Sequence, residues 1–299
     1  MSAPGNSDVD LSPGAARGAP PAAGPILAAR DVRLGYRDRI VADGVDVEIP
    51  RGRVTAIIGP NGCGKSTLLR AFGRLLTPRR GRIELDGRDL ATIPSREIAR
   101  RLAILPQEAR APEGLRVRDL IARGRYPHQS FLAQASDADR AAIGRAIATV
   151  GLEELAEREV GELSGGQRQR VWIAMTLAQE TELLLLDEPT TFLDLAHQIE
   201  VLGLVDRLHR DLGRTVVLVL HDLGQAARYA DHVIVMRDGA VVTAGAPSEV
   251  IDADLVEEVF DVPCRVIPDP ETGTPLVVPR AHRPRVGSWD ACSHVGTRE

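Results

Sequence analysis

The chain has 299 residues and a mass of 32.2 kDa, with 43% hydrophobic and 26% charged residues. A chain of this length and composition can bury one large core, or one core with a smaller attached subdomain. Its formal net charge is −5 and its pI is about 5.9, so the composition gives no sign of the basic surface that nucleic-acid-binding proteins present. We therefore expect no nucleic-acid partner.

The sequence carries no compartment signal that we can identify. Its opening, MSAPGNSDVD, has neither a cationic start nor an apolar stretch, so we expect no secretory signal there. The longest apolar runs, at 183–186 and 216–220, are far shorter than the roughly 20 residues of a membrane-spanning helix. Three widely separated cysteines without metal-ligand spacing are typical of reduced thiols in a cytosolic protein; they are Cys63, Cys264 and Cys292.

In chain order, the first predicted elements are a tail and an antiparallel layer. Residues 1–25 consist mainly of Gly, Ala, Pro and Ser, and this composition predicts a disordered tail. The segments ILAARDVRLGY and GVDVEIPRG then alternate apolar and polar residues with a period of two. That alternation predicts the strands of an antiparallel β-layer starting near Ile26.

A second group of strands is predicted to form a parallel sheet. VTAIIG at 54–59 is a continuous apolar run followed by a glycine-rich turn and a helical pattern, and three further apolar runs end in polar residues, namely RLAILPQ, LLLLDE and VVLVLHD. Continuous apolar strands that alternate with helical segments favour a parallel sheet covered on both faces. Residues 109–180 are predicted to be mostly helical, and Asp238-Gly239 predicts a hairpin. Residues 266–299 are expected to form a partly disordered C-terminal extension.

Residues 59–67, GPNGCGKST, fit the pattern G-x-x-x-x-G-K-[ST] and contain the only lysine among 37 basic residues. Glycines let backbone N–H groups converge on phosphate oxygens, and a helix N-terminus adds its positive dipole end. Lys65 is compact enough to reach the β- and γ-phosphates where a planar guanidinium is not, and Ser66 can ligate Mg²⁺. The residues predicted to bind the nucleotide here are Gly59, Pro60, Asn61, Gly62, Cys63, Gly64, Lys65, Ser66 and Thr67.

Polar residues end three of the predicted parallel strands. In LLLLDEPT we expect Asp187 to hold Mg²⁺ through water and Glu188 to orient or deprotonate the attacking water. His221 ends VLVLHD, where it can contact the γ-phosphate, and Gln107 ends RLAILPQ. Taken alone, each has a structural alternative, because acids often cap strand ends and a lone histidine is usually structural.

LSGGQ at 163–167 is the motif that decides between these readings. Two glycines after a serine at a helix start form a second nest of N–H groups, although an ordinary N-cap with a flexible turn is the alternative on physical grounds. With this motif the chain resembles an ATP-binding-cassette (ABC) ATPase over roughly residues 26–265. The matching features, all in family order, are Tyr36 in LGY, the phosphate loop, Gln107, LSGGQ, Asp187-Glu188, Asp194 in FLD and His221.

The resemblance implies an α/β fold with a P-loop NTPase core: a mixed, largely parallel sheet, an antiparallel β-layer and an inserted helical subdomain at about 109–180. It also implies ATP and Mg²⁺ as cofactors, with Tyr36 stacked on adenine, Gln107 sensing the Mg²⁺ and Asp194 at the seam between two cassettes. The signature residues would close over the γ-phosphate bound by a second, oppositely oriented cassette; they are Ser164, Gly165, Gly166 and Gln167.

The branch of the family is indicated by longer stretches. GRYPHQSFL, QRQRVWIAMTLAQ, PTTFLDLAHQIEVL and LHDLGQAARYADHVIVMRDG look like cassettes that energise import of iron–siderophore complexes, with vitamin B12 and haem importers as alternatives. Thr191-Phe192 and AMTLAQ depart from the Ser-Ala and ARAL of many cassettes, which agrees with this branch and weakens a reading as an exporter.

The resemblance also implies partners and a location. They are a second cassette (a copy of this chain, or alternatively a different one), polytopic membrane permease subunits docking near residues 107–129, and indirectly an extracytoplasmic substrate-binding protein. The chain would then be peripheral, at the cytoplasmic face of the cell membrane. Two further classes of function remain as alternatives. One is a non-transport cassette of DNA repair or translation, and the other is a P-loop kinase, which would have no use for LSGGQ.

Overall fold

The computed structural model describes residues 24–107, 111–129 and 135–280. Residues 1–23 of the predicted tail lie outside these ranges. So do residues 281–299 of the predicted C-terminal extension, which include Cys292. The strands of the described chain are β1 (Pro25–Tyr36), β2 (Arg39–Pro50), β3 (Val54–Ile58), β4 (Arg80–Leu85), β5 (Arg88–Asp89), β6 (Leu102–Leu105), β7 (Leu183–Leu186), β8 (Thr215–Val219), β9 (His232–Arg237), β10 (Ala240–Gly245), β11 (Cys264–Pro268) and β12 (Pro275–Pro279). The α-helices are α1 (Lys65–Phe72), α2 (Ser95–Ala99), α3 (Val117–Ala122), α4 (Asp137–Thr149), α5 (Gly165–Ala178), α6 (Leu195–Leu212), α7 (Leu223–Tyr229), α8 (Pro247–Val250) and α9 (Ala253–Phe260).

The central sheet has six strands in the order β10-β9-β3-β8-β7-β6. Strands β9, β3, β8, β7 and β6 are parallel, and β10 pairs antiparallel with β9 at one edge. Every residue of β3, β7 and β8 is buried, as expected for strands covered on both faces. The predicted parallel sheet is therefore confirmed. The sequence pattern predicts β9 only as part of a hairpin, and its parallel pairing with β3 adds it to the sheet.

Alternate residues of these strands supply two separate hydrophobic cores. Ile57, Leu183 and Leu185 pack with helix α1 and the antiparallel layer, whereas Ala56 and Leu184 pack with the helices on the opposite face. The antiparallel layer is a four-stranded sheet in the order β2-β1-β4-β5. The period-two side-chain alternation of a strand thus divides one apolar run between two layers. These findings confirm the predicted α/β fold with an antiparallel β-layer.

The described part of the predicted helical subdomain contains α3, α4 and α5, and buried charges hold it together. Arg125 is 4% exposed. It donates to Asp139 Oδ1 at 2.8 Å, to the Ala178 carbonyl at 2.6 Å and to Glu180 Oε2 at 2.7 Å. The Arg125 hydrogen bond is the largest of the effects that lower the pKa of Asp139 to about 2. A buried guanidinium with three partners fixes how α4 sits against the end of α5.

The C-terminal part of the described chain forms two hairpins, the first of which supplies an edge strand of the central sheet. Strands β9 and β10 form the predicted hairpin, with Asp238 and Gly239 both at positive φ, as a two-residue hairpin turn of this kind requires. The predicted C-terminal extension begins in a second hairpin of β11 and β12, which is tied to α7 because Arg228 bonds Asp269 and Glu271, each at 2.9 Å. None of the described helices has the length and apolar character needed to cross a membrane.

Candidate functional site

Four neighbouring parallel strands end at one edge of the central sheet, and each is followed by candidate residues. Strand β3 leads into the phosphate loop, β8 leads to His221, β7 to Asp187 and Glu188, and β6 to Gln107. Since carboxyl ends of parallel strands meet at the same edge, residues more than a hundred positions apart come together there. The cleft at this edge has a volume of about 660 Å³, and its lining residues are Gly59, Pro60, Asn61, Gly62, Gln107, Glu188, His221 and Phe260.

The phosphate loop has the backbone that its glycines predict. Gly59, Gly62 and Gly64 have φ values of 150°, 79° and 106°, and a Cβ added at Gly59 would lie 2.1 Å from the carbonyl oxygen of Met236. Helix α1 begins at Lys65, so its free N–H groups and positive dipole end point into the loop. The loop is therefore built for a close approach of phosphate oxygens to backbone.

Lys65 is enclosed by the loop itself. It is 4% exposed, and its Nζ donates to the carbonyl oxygens of Gly59 at 2.8 Å and Pro60 at 2.9 Å. The wall around the ammonium is backbone, which cannot widen for a planar guanidinium as a flexible side chain would. This geometry supports the sequence argument that the chain keeps lysine here for its compact shape.

Glu188 is held by three side chains from three different segments. Gln107 Nε2 donates to Glu188 Oε2 at 2.6 Å and Thr191 Oγ1 to the same oxygen at 3.0 Å, while His221 Nε2 lies 2.8 Å from Oε1. The backbone of Glu188 has a φ of 51°, in the left-handed region. These contacts orient a carboxylate, 9% exposed, toward the cleft beside the phosphate loop. A carboxylate so placed can take a proton from water in the cleft. Sequence reasoning missed Thr191 as one of its partners.

Asp187 carries the strongest sign of a cation site. It is 1% exposed, and neither carboxylate oxygen meets hydrogen-bond geometry with a partner in the described chain. Burial raises the pKa of Asp187, and the neighbouring Ser66 hydroxyl and the charge of Arg70, 3.9 Å away, partly oppose that rise. A buried carboxylate that accepts no hydrogen bond is costly unless a cation compensates its charge, and the single guanidinium of Arg70 lies at 3.9 Å.

The donor set beside Asp187 fits Mg²⁺. Among the described residues there is no group of three or more His, Cys, Asp or Glu side chains that could hold a metal alone. One carboxylate and one hydroxyl suit Mg²⁺, because this ion usually keeps several waters and binds substrate phosphates as well. Asp187 and Ser66 can therefore hold Mg²⁺ against a nucleotide, as expected from the sequence.

Tyr36 lies at the end of β1, outside the residues that line the cleft. Its ring is 42% exposed and its hydroxyl accepts a hydrogen bond from Arg70 at 3.3 Å. Arg70 in turn lies next to Asp187, so the tyrosine is joined to the site through helix α1. An exposed aromatic ring in this place can stack on a planar base.

The signature residues are not among the residues that line the cleft of their own chain. Ser164 caps helix α5 in a reciprocal capping box, accepting from the Gln167 N–H at 3.2 Å while its own N–H donates to Gln167 Oε1 at 3.0 Å. Ser164 and Gly165 are exposed. The N-cap is thus present, and it leaves the helix start facing outward with free N–H groups.

Asp194 caps the next element. Its Oδ1 accepts from the His197 N–H at 2.9 Å and lies 2.7 Å from His197 Nδ1 at the start of α6. These two bonds, the backbone one first, lower the pKa of Asp194. The carboxylate is exposed and anionic at the outer end of the segment that begins at Glu188. His197 was not singled out by the sequence analysis, because nothing in its spacing marks it.

Comparison with known proteins agrees with this geometry. A family model described as "ABC transporter" matches residues 42–191. The achromobactin transport ATP-binding protein of Dickeya dadantii is 52% identical over 253 residues, covering 85% of this chain and 94% of that protein. The ferric enterobactin transport ATP-binding protein of Escherichia coli is 51% identical over 253 residues, covering 85% of this chain and 93% of that protein.

Solved structures give the same result. A metal-chelate-type ABC transporter in an inward-facing conformation aligns with a TM-score of 0.76 at 28% identity, covering 87% of this chain and 99% of that one. The dimeric cassette MJ0796, in a post-hydrolysis state bound to ADP and Pi, aligns with a TM-score of 0.64 at 27% identity, covering 74% of this chain and 98% of that one. The chain therefore belongs to the ABC transporter ATP-binding family, whose importer subunits hydrolyse ATP to drive transport.

Proposed function

We propose that this chain powers the import of iron–siderophore complexes through a separate membrane permease, from the cytoplasmic face of the membrane. One observation carries the proposal: two relatives named for siderophore transport share about half of their residues with this chain over more than nine-tenths of their own length. The metal-chelate type of the aligned transporter supports the same class of cargo. The permease and an extracytoplasmic binding protein would select the siderophore.

The hydrolytic step is assigned to the cleft. Lys65 and the N–H groups of the phosphate loop bind the β- and γ-phosphates of ATP. Asp187 and Ser66 hold Mg²⁺, which supplies positive charge to the phosphates when bound. Glu188 orients water and takes its proton, while Gln107 and His221 keep that carboxylate in place.

The complete site is assigned to two copies of the chain. Within one chain the signature residues 164–167 do not line the cleft, yet their outward-facing helix start is suited to an anion. A second copy in the opposite orientation would bring this helix start to the γ-phosphate on the phosphate loop of the first. The dimeric form of the aligned cassette supports this arrangement. Asp194 would then lie at the seam, and Tyr36 would stack on adenine.

An uptake experiment tests the cargo. A strain lacking this gene and redundant importers is complemented with the wild-type chain, with Glu188→Gln, or with Glu97→Gln as a control on the exposed Arg88 pair of the antiparallel layer. Uptake of radioactive iron from a panel of ferric siderophores should be restored by the wild type and by Glu97→Gln only. Siderophore uptake that is normal without the gene, together with lost cobalamin or haem uptake, would refute the proposed cargo and move it to those importers.

A further inference from the structure

The start of helix α6 contacts the signature loop of the same chain through His197. A Cβ added at Gly166 would lie 2.2 Å from His197 Cδ2, 2.7 Å from Cγ and 3.0 Å from Nε2, so the imidazole lies directly against the backbone of this glycine. The ring is held there from its other side, since Nδ1 lies 2.7 Å from Asp194 Oδ1. Gly166 is buried by this contact region, whereas Gly165 beside it is exposed.

The next residue, Gln198, reaches in the other direction. Its Nε2 donates to the Leu193 carbonyl at 2.9 Å, and its Oε1 accepts from Gln225 Nε2 at 2.7 Å. Gln225 lies in helix α7, which is capped by Asp222, the residue directly after His221. The first turns of α6 are therefore bonded to the segment that carries His221, and through 188–194 they are continuous with Glu188.

We propose that His197 is a positioning residue that couples the signature loop of each chain to the part of the ATP site around Glu188 and His221 in that same chain. We call this part the half-site. It is not a catalytic residue, because it does not line the cleft. The inference rests on the proposed two-copy site, in which the signature loop serves the partner's ATP. His197 would make the loop offered to the partner depend on the state of the chain's own half-site.

The physical basis is the close packing of the His197 ring between Gly166 and Asp194, which leaves the ring little room to move. Gly166 has no side chain that could move aside, and a larger residue would collide with the ring, so the loop backbone follows the position of the imidazole. The carboxylate of Asp194, a hydrogen-bond acceptor, fixes the ring through Nδ1 and so selects the tautomer with its proton there. A shift of the 188–194 segment would be passed to the loop through rigid contacts and not through solvent.

A single-chain experiment tests the coupling without any pairing. Backbone amide resonances of Gly165 and Gly166 are followed by NMR while Mg-ATP is added, at a protein concentration where light scattering shows one chain. We expect both resonances to shift in the wild type and to lose most of that shift in His197→Ala. The matched control is His209→Ala on the same helix, where another histidine lies near a carboxylate, 3.5 Å from Asp231. Equal ATP-induced shifts in the wild type and His197→Ala would overturn the proposal.

A second experiment measures the consequence for pairing. In the Glu188→Gln background, ATP-driven pairing is measured by light scattering for His197→Ala, His197→Phe and His209→Ala, and nucleotide affinity is measured on the single chain. We expect His197→Ala to weaken pairing about tenfold, the effect of losing one well-placed contact, with nucleotide affinity unchanged within twofold. His197→Phe, which keeps a ring against Gly166, should recover part of the loss, and His209→Ala should change neither quantity. Equal weakening by His197→Ala and His209→Ala would overturn the proposal, as would pairing of His197→Ala within twofold of its parent. Full ATPase activity in a Ser164→Arg variant would remove the two-copy site of the proposed function, and the single-chain resonances would still decide the role of His197.

Discussion

The phosphate-loop edge of the central sheet and the signature loop differ in how much of their chemistry one chain completes. At the sheet edge Lys65 and Asp187 are almost fully buried, and Glu188 is held by three side chains. At the signature loop Ser164 and Gly165 are exposed, and the helix start faces outward. One region is a largely buried pocket built within a single chain, and the other is an exposed helix start.

The difference follows from the elements that build each region. Parallel strands deliver side chains to a common edge, where neighbouring strands and α1 bury and orient them. A helix N-terminus instead presents backbone N–H groups along its axis, away from its own core. A site that needs both kinds of group around one phosphate is thus easily divided between two molecules. The four predictions below test the parts of this comparison, from the losses of activity to the smaller effects on stability.

Glu188→Gln should have a large effect on turnover and little on binding. The amide keeps the shape of the side chain and its place among Gln107, Thr191 and His221, but it cannot accept a proton from water. Loss of a general base typically lowers the rate by about 10²–10⁴-fold. Steady-state phosphate release and nucleotide affinity are measured together, with Glu97→Gln as the control. Hydrolysis within threefold of the wild type would remove Glu188 from this role.

Lys65 allows a direct test of the buried half-site, because it is the only lysine. In untagged protein the primary amines are its ε-amine and the N-terminus, so reductive methylation has two targets that peptide mapping separates. Mg-ATP should slow modification of Lys65 strongly and leave the N-terminus unaffected. Lys65→Arg should abolish hydrolysis, since the guanidinium does not fit between the Gly59 and Pro60 carbonyls. An active arginine variant, or equal labelling with and without nucleotide, would contradict the assignment.

Asp139→Asn should damage the helical part without touching the phosphate-loop edge. The substitution leaves the buried Arg125 with Glu180 as its remaining carboxylate partner among the described residues. Because breaking a buried ion pair costs about 3–5 kcal/mol when the remaining charge has no other partner, we expect a loss of unfolding free energy of up to about that size. The hydrogen bond from Arg125 lowers the pKa of Asp139 from its ordinary value of 3.8 to about 2 in the folded protein, so the pair stabilises fully above pH 3.8. That contribution is lost as the pH falls through 2.

The measurement is urea unfolding of wild type and Asp139→Asn between pH 7 and the lowest pH at which the wild type folds. The difference in unfolding free energy between the wild type and Asp139→Asn should be constant down to about pH 4 and should shrink below it. Glu157→Gln, on the exposed pairs with Arg116 and Arg118, serves as the control and should change stability by less than about 1 kcal/mol. A difference that grows toward low pH would contradict the assigned pair.

The sequence predicted the sheet edge better than the contacts across it. Apolar runs and the glycine pattern have local physical signals, so β3, β7, β8 and the phosphate loop were all predictable. The convergence of Gln107, Thr191 and His221 on Glu188 depends on the spatial order of strands β6, β7 and β8, which the sequence does not contain. The contact of His197 with Gly166 likewise needs the packing of α6 beside α5, and the lining of the cleft by Phe260 needs the course of the C-terminal helices.

The smallest expected effect concerns Phe192, in the segment that joins Glu188 to helix α6. Its side chain is 95% exposed and its φ is 63°, a left-handed backbone that costs a bulky residue roughly 1–2 kcal/mol and that asparagine tolerates well. Phe192→Asn should therefore raise the unfolding free energy by up to about 1 kcal/mol, or about 2–4 °C in Tm. If a second copy covers this ring, ATP-driven pairing in the Glu188→Gln background should weaken at the same time. Leu212→Asn is the control, because this leucine is also exposed but lies in α6 outside the left-handed region, so it should show neither effect. A stabilised chain with unchanged pairing would leave the strain argument standing and remove Phe192 from the seam between the copies, while an unchanged Tm would contradict the strain argument itself.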